Sequence, residues 1–108
     1  MIFDMRTYDL KPGCTSAYMD AVRELALPVR QDYGVILVGW YFTEVGVLNQ
    51  IVHIWAYRDW SHMETAKQSF RNDDRWIKQY LPRVKELIVA QRNQIMQAAD
   101  FSPLPESD

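Results

Sequence analysis

Apolar residues are most concentrated between residues 35 and 57, a stretch that predicts two strands joined by a tight turn. Every residue from 35 to 42 is apolar, aromatic or glycine, whereas a strand with one face in water alternates apolar and polar residues. The two faces of a regular strand here would be Ile36, Val38, Trp40 and Phe42 on one side and Val35, Leu37 and Tyr41 on the other. Both faces need a cover, and a chain of 108 residues can hardly supply two. The pattern therefore predicts a partner chain.

The N-terminal third predicts a strand followed by a helix. Residues 2–10 form the strand, and one of its faces carries Ile2, Asp4, Arg6, Tyr8 and Leu10. A turn follows at residues 11–13, which are Lys-Pro-Gly. Thr15 or Ser16 is expected to cap the helix, because either hydroxyl can accept a hydrogen bond from a free backbone N–H.

The apolar face of this first helix is spaced at four, three and four residues: Tyr18, Val22, Leu25 and Val29. Pro28 lacks an N–H and should kink or restart the helix. Gly34 is expected at its C-terminal end, where a left-handed residue is often needed.

The second half predicts a hairpin turn and two further helices. The turn lies at residues 44–47, with Gly46 at positive φ. Asp59 should cap a helix whose inner face is Trp60, Met63, Lys67 and Phe70, with the Lys67 ammonium reaching solvent. Asp73 or Asp74 should cap a short helix with an inner face of Trp76, Ile77, Tyr80 and Leu81. Pro82 is expected to end it.

Residues 84–99 fit either a helix or a strand. Gln, Ala and Met favour a helix, but the order strand, helix, strand, strand, helix with one more strand is the ferredoxin-like plan. A fourth strand would also cover the open edge of the first. We therefore predict an α+β fold: a ferredoxin-like four-stranded antiparallel sheet with helices on one face. Residues 1–100 form this single domain, and 101–108 are a proline-containing tail that extends over a neighbour.

The face of the sheet without helices carries large apolar side chains and predicts a symmetric homodimer. Two such faces would aggregate if left in water. An interface of about 800 Å² per subunit would reach the size of a stable complex.

Composition narrows the classes of function. The chain is 48% hydrophobic and 13% aromatic with net charge −2 and no basic cluster, which disfavours nucleic-acid binding. Cys14 is the only cysteine, so a reducing compartment is expected. No apolar run reaches the ~20 residues of a membrane span, and residues 1–4 lack the features of a signal peptide. These observations predict a cytoplasmic protein.

Two blocks carry a family resemblance: residues 5–13, MRTYDLKPG, and residues 43–55, TEVGVLNQIVHIW. Together with DDRW at 73–76, YLP at 80–82 and SPL at 102–104, they resemble the NIPSNAP family. The resemblance covers nearly the whole chain, and its most specific part is the block 43–55. It implies a dimeric α/β barrel with residues 84–99 as a strand. It implies no particular activity, because the family has no agreed catalytic mechanism.

His53, Arg6 and Tyr8 are the candidate catalytic residues. His53 lies mid-strand among apolar neighbours, and an imidazole can move protons near neutral pH. Arg6 either pairs with a carboxylate such as Glu44 or holds an anionic ligand. Tyr8 can donate a hydrogen bond to a ligand oxygen. Each also has a purely structural interpretation, as a buried group satisfied by its neighbours.

The predicted ligand-binding residues are Arg6, Tyr8, Trp40, His53 and Trp55. Tyr57 and Trp76 are further aromatic candidates, although aromatic stripes are more often core. Glu44 and Asn49 are expected to hold the hairpin turn, and His62 to lie at the surface. No metal site is predicted, because His53 and His62 are nine residues apart with no suitable carboxylates. No cofactor is predicted either, and Cys14 lacks a partner for nucleophilic chemistry.

Three functions remain open from the sequence. The first is a dimer that binds a small apolar or aromatic ligand between helices and sheet. The second is a cofactor-independent monooxygenase or isomerase with His53 as general base and Arg6 or Tyr8 stabilising an oxyanion. The third is a protein-interaction module without a small ligand.

Overall fold

One face of a four-stranded antiparallel sheet carries all the helices of the described chain. The structure, a computed structural model, describes residues 1–105; residues 106–108, the end of the predicted tail, lie outside the described part. The strands are β1 Ile2–Leu10, β2 Ile36–Phe42, β3 Gln50–Tyr57 and β4 Ile88–Met96. The helices are α1 Thr15–Ala21, α2 Leu27–Asp32, α3 Trp60–Arg71 and α4 Leu81–Val84. A first π segment, Val22–Ala26, joins α1 to α2, and a second π segment, Arg75–Tyr80, leads into α4.

The strand order β2-β3-β1-β4 is that of a ferredoxin-like sheet. β1 lies between β3 and β4 and pairs antiparallel with both, so neither of its edges is open. The predicted α+β class is therefore confirmed, and so is the choice of a strand within residues 84–99. None of the helices in residues 1–105 is long and apolar enough to cross a bilayer.

The core lies between the sheet and the helices. On β3 the side chains of Ile51, His53, Trp55 and Tyr57 all point to the helices and are at most 1% exposed. Their β1 partners are Tyr8, Arg6, Asp4 and Ile2, which share that face. Charged groups therefore lie within the layer that is otherwise the apolar core.

The predicted regular alternation of β2 is wrong because a bulge interrupts the strand. Leu37 pairs with Trp55 and Trp40 with His53, and the register shifts between residues 37 and 39. A bulge adds one residue and so moves later side chains to the other face. Leu37 and Trp40 consequently share the helix-covered face, although the sequence placed them on opposite faces.

The turn between β2 and β3 is longer than predicted and spans residues 43–49. Gly46 has the expected positive φ, 127°, but Asn49 is also left-handed at 58°. Its Oδ1 accepts a hydrogen bond from the Gly13 N–H (3.2 Å), and its carbonyl accepts one from the Leu10 N–H (2.8 Å). Asn49 therefore holds the turn against the β1–α1 connection, as the sequence predicted.

The residues predicted to cap or end the helices are confirmed in part. Asp59 caps α3, its carboxylate accepting from the His62 N–H at 2.7 Å, and Gly34 follows α2 with φ 78°. Asp73 accepts from the Arg75 N–H (2.9 Å) at the start of the second π segment. The predicted cap at Thr15 or Ser16 is wrong: α1 begins at Thr15 after Cys14, and no side chain caps it.

Both π segments precede a proline and change which residues are buried. Pro28 lies in the first turn of α2 and Pro82 in the first turn of α4, where the missing N–H is not required. The restart at Pro28 is therefore confirmed, whereas Pro82 does not end its helix. In a regular α-helix, residues four apart point in directions that differ by about 40° around the helix axis, so a series at this spacing moves off one face. The wider turn of a π segment compensates for this rotation and keeps the series on one face.

The π segments thus produce two series of buried residues with a constant spacing of four. The first is Tyr18, Val22, Ala26 and Arg30, and the second is Trp76, Tyr80 and Val84. The predicted inner faces were partly wrong. Leu25 is only half-buried, and Ile77 and Leu81 are exposed.

Candidate functional site

A partly open cleft of about 220 Å³ lies between the helices and the β1–β4 half of the sheet. Its aromatic lining is Tyr8, Tyr18, Phe70, Trp76 and Tyr80. Its charged lining is Arg6, Arg30, Lys67 and Arg71, and no acidic residue of the described chain lines it. The cleft thus combines apolar rings with an excess of positive charge.

Asp4 pairs with two of these cations from beneath the cleft. Its carboxylate, 1% exposed, lies 3.0 Å from Arg6 Nη1 and 3.1 Å from Lys67 Nζ, and Asn93 Nδ2 donates to it at 3.0 Å. Burial acts to raise the pKa of Asp4, but the Asn93 hydrogen bond and the charges of Arg6 and Lys67 outweigh it and hold the pKa below its usual value. Asp4, not Glu44, is therefore the carboxylate partner of Arg6. Lys67, predicted to reach solvent, points inward to the same group.

The tyrosines of the cleft are held in place by hydrogen bonds. Arg6 Nε donates to the Tyr8 hydroxyl at 2.7 Å. The hydroxyls of Tyr18 and Tyr80 are 3.0 Å apart and share one hydrogen bond. Burial raises the pKa of both Tyr18 and Tyr80, so both stay protonated near neutral pH. One hydroxyl proton of this pair is therefore available to an acceptor in the cleft.

Arg30 is a buried cation of the site without an ion pair. It is 7% exposed, and its guanidinium carbon lies 4.3 Å from the ring centre of Trp55, 5.1 Å from that of Trp76 and 5.3 Å from that of Phe70. No carboxylate within residues 1–105 forms an ion pair with it. Its Nε is buried without a hydrogen-bond partner. Buried charges in proteins are ordinarily paired, so this arrangement lacks a counter-ion.

His53 is fully buried behind the cleft. Trp55 Nε1 donates to its Nδ1 at 2.6 Å, so the neutral ring carries its proton on Nε2, which has no partner. Burial, reinforced by the charges of Arg30 and Arg6, lowers the pKa of His53 to about 2. A ring this resistant to protonation is a weak general base near neutral pH. The geometry instead leaves His53 with a buried Nε2–H that has no acceptor.

The structure does not gather the five predicted ligand-binding residues around one cavity. Arg6 and Tyr8 line the cleft. Trp40 stacks on Tyr18 and lines a separate groove with Leu37, while His53 and Trp55 are fully buried behind. The role of all five in binding stays a prediction.

Several other candidates have structural positions. His62 was predicted at the surface but is buried: its Nδ1 accepts from the Arg58 N–H and its Nε2 lies 3.1 Å from the Tyr33 carbonyl oxygen, linking α3 to the end of α2. Tyr57 packs edge-on against His62. Cys14 is outside the cleft lining. Residues 1–105 contain no cluster of three or more His, Cys, Asp or Glu side chains that could hold a metal ion.

Sequence reasoning missed Arg30, Tyr18 and Tyr80 as site residues. The available signal was a spacing of four, in which Arg30 continues the apolar series through Val22 and Ala26. That spacing drifts off one face of a regular α-helix, and only the first π segment brings Arg30 to the cleft.

A ferredoxin-like sheet with a cationic, aromatic cleft beneath its helices defines a small α+β protein with a ligand-sized site. Comparison with solved structures agrees. A NIPSNAP family protein with unknown function from Agrobacterium tumefaciens is 36% identical with a TM-score of 0.89, covering 97% of this chain and 94% of the other. A NIPSNAP domain protein from Burkholderia xenovorans is 27% identical with a TM-score of 0.86, covering 95% of this chain and 99% of the other.

The NIPSNAP family model matches residues 3–103, and the chain belongs to that family. Human protein NipSnap homolog 2 is 31% identical over an alignment of 106 positions that covers 95% of this chain and 35% of that protein. The chain therefore spans about a third of the length of the curated relatives it matches. A putative antibiotic biosynthesis monooxygenase from Nitrosomonas europaea, 12% identical with a TM-score of 0.69, shares the fold alone.

Proposed function

We propose that the protein binds a small organic molecule with an aromatic or apolar body in the cleft between helices and sheet. The observation that carries the proposal is the cleft itself, with five aromatic rings and a few polar groups converging on it. This make-up is typical of ligand sites. A cavity of about 150 Å³ accommodates benzene, so about 220 Å³ suits a ligand of one substituted ring.

A thermal-shift screen of single-ring and two-ring compounds tests this proposal. Binding to the folded state should raise Tm as ligand concentration increases. Leu81, exposed at the cleft, allows the cleft to be blocked from its mouth. We expect Leu81→Trp to abolish the Tm increase while leaving the Tm of the free protein within a few degrees.

Ile77→Trp is the matched control, because Ile77 is equally exposed one turn earlier and does not line the cleft. It should retain the response of the natural protein. A screen without binders, or equal responses from Leu81→Trp and the natural chain, would refute cleft binding.

The environment of His53 gives little support to a monooxygenase or isomerase that uses this residue as its base. A neutral ring with a pKa of about 2 and full burial does not take up a proton readily. The likeness to a monooxygenase fold at 12% identity carries no information on activity. Binding is therefore the function that the geometry favours.

We also propose that two copies pair through the face of the sheet without helices. Tyr41 on that face is 59% exposed, and Val52 and Ile54 beside it are only partly covered. In the described part of the C-terminal tail, Phe101 and Leu104 are exposed as well. The extension of this tail over a neighbouring chain stays a prediction. Ile54 is central to this face, because it pairs with both Met5 and Gly39.

Sedimentation analysis tests the pairing. We expect the natural chain to sediment with twice its own mass and Ile54→Lys to sediment as a folded monomer, because a charge cannot be buried unpaired in an apolar interface. Glu64→Lys, a charge change on the exposed surface of α3, should remain dimeric. A monomeric natural chain would refute the proposal.

A further inference from the structure

We propose that the ligand of the cleft is an organic carboxylic acid, bound as its anion with the carboxylate against Arg30. The proposal rests on the proposed function, since it specifies the chemical class of molecule that occupies the same cleft. It also assigns a ligand-contacting role to a residue that the sequence did not single out.

The surroundings of Arg30 lack a negatively charged hydrogen-bond acceptor. Trp55, Phe70 and Trp76 place aromatic faces around the guanidinium, which favours the cation electrostatically. Aromatic faces, however, supply no strong hydrogen-bond acceptor, and the buried Nε has none. A guanidinium keeps its charge in proteins. An acceptor that also carries negative charge would therefore complete the site.

The remaining cations make the cleft positive overall. Asp4 is a single carboxylate shared by Arg6 and Lys67, which leaves one positive charge over. Arg30 and Arg71 add two more at the lining, and the described lining holds no acidic side chain. A site of this sign attracts anions and raises their local concentration.

The other polar groups of the cleft are also able to donate. The Tyr18–Tyr80 pair holds one uncommitted hydroxyl proton, and the Gln91 amide lies in the lining. Donors converging on one cavity indicate a ligand with several acceptor atoms. A carboxylate has two oxygens and about four acceptor positions.

The size of the site favours a carboxylate over a phosphate. Three rings lie 4.3 to 5.3 Å from the guanidinium carbon, and Arg30 also lines the cleft, where a ligand can reach it. Carboxylates and phosphates both accept two parallel hydrogen bonds from a guanidinium, but the carboxylate is the smaller group. The cavity of about 220 Å³ then leaves room for one ring against Tyr8, Tyr18 and Trp76.

Calorimetric titration with matched pairs of ligands tests the proposal. The probes are benzoate, phenylacetate and 3-phenylpropanoate, each paired with its neutral primary amide, and phenyl phosphate as the alternative anion. With the natural chain, we expect at least one acid to bind tenfold or more tightly than its amide. Arg30→Met, which keeps the apolar stem, should reduce the affinity of that acid at least tenfold and leave the affinity of the amide within twofold.

Lys11→Met is the control, because it removes an exposed positive charge outside the cleft lining. It should preserve the preference for the acid. Near-ultraviolet circular dichroism checks that Arg30→Met is folded. If it is not, the Nε–H resonance of Arg30 in the natural chain still decides, since the acid should shift it by NMR and the amide should not.

The outcomes separate the two proposals. Equal binding of acid and amide, or an acid preference that survives Arg30→Met, overturns the carboxylate assignment and leaves cleft binding intact. Tighter binding of phenyl phosphate than of every acid also overturns it. Absence of binding by all of these ring compounds contradicts the proposed function and this inference together.

Discussion

Replacing Asp4 with Asn is expected to lower the free energy of unfolding by about 3 kcal/mol. The carboxylate is 1% exposed and compensates Arg6 and Lys67, whose side chains are only 16% and 17% exposed. An amide of the same shape retains hydrogen bonding to Asn93 but leaves both cations without a counter-ion in a largely dry layer. Breaking a buried pair from one side is costly for this reason.

Urea unfolding measures the effect, and Asp9→Asn is its control. Asp9 is on the same strand and pairs with Arg92, but both side chains are well exposed at 37% and 59%. The loss there should be much smaller, because solvent screens surface ion pairs. Similar losses in the two variants would show that solvent screens the Asp4 cluster and that the cleft floor is wetter than the structure indicates.

Acidification is expected to destabilise the protein well before its carboxylates titrate. The pKa of His53 is about 2 in the folded chain, chiefly because of burial and also because of Arg30 and Arg6, against an ordinary value of 6.5. The unfolded chain therefore takes up a proton that the folded chain does not. The contribution of neutral His53 to the free energy of unfolding is therefore complete above pH 6.5 and is lost as pH falls toward 2. The limiting slope of the free energy of unfolding is about 1.4 kcal/mol per pH unit.

Unfolding free energies of the natural chain and of His53→Gln, compared between pH 6 and pH 4, isolate this contribution. Glutamine can still accept the Trp55 hydrogen bond but does not titrate. Asp4, whose pKa in the fold lies below its usual value of 3.8, loses its contribution chiefly below pH 4 and does so in both proteins, so the comparison cancels it. We expect the slope to be smaller in the variant. An equal slope in both proteins would mean that His53 is accessible to protons in the folded state.

Much of the fold was predictable because local patterns and chain order agree. The glycine and aspartate signals at Gly34, Gly46 and Asp59 describe backbone geometries that few other residues provide, and all three were confirmed. β4 shows the opposite case, because its composition favours a helix. Its identity as a strand followed only from the need of β1 for a second partner.

The site was less predictable because it depends on small departures from regular geometry. The bulge at residues 37–39 moves Leu37 and Trp40 to one face, and Gly39 is the glycine signal for it that the strand prediction left unused. Arg30 was not singled out, because it falls outside the apolar face predicted for the first helix. Arg6 was recognised as a candidate, yet its partner proved to be Asp4, two residues away on the same strand face. Which side chains pair in this way depends on how the sheet and helices pack, and the spacing of residues along the sequence does not determine it.

The two π segments make the cleft sensitive to chain length rather than to side-chain identity. Each contains a wider turn, so removing one residue from residues 22–26 or 75–80 would restore ordinary α-helical hydrogen bonding. Everything beyond the deletion would rotate by about 100° around the helix axis. Arg30, or Val84 in the second case, would then leave the cleft, even where the residue removed is not one of the lining residues. A relative lacking one residue in either segment would keep the fold and present a different set of groups to its ligand.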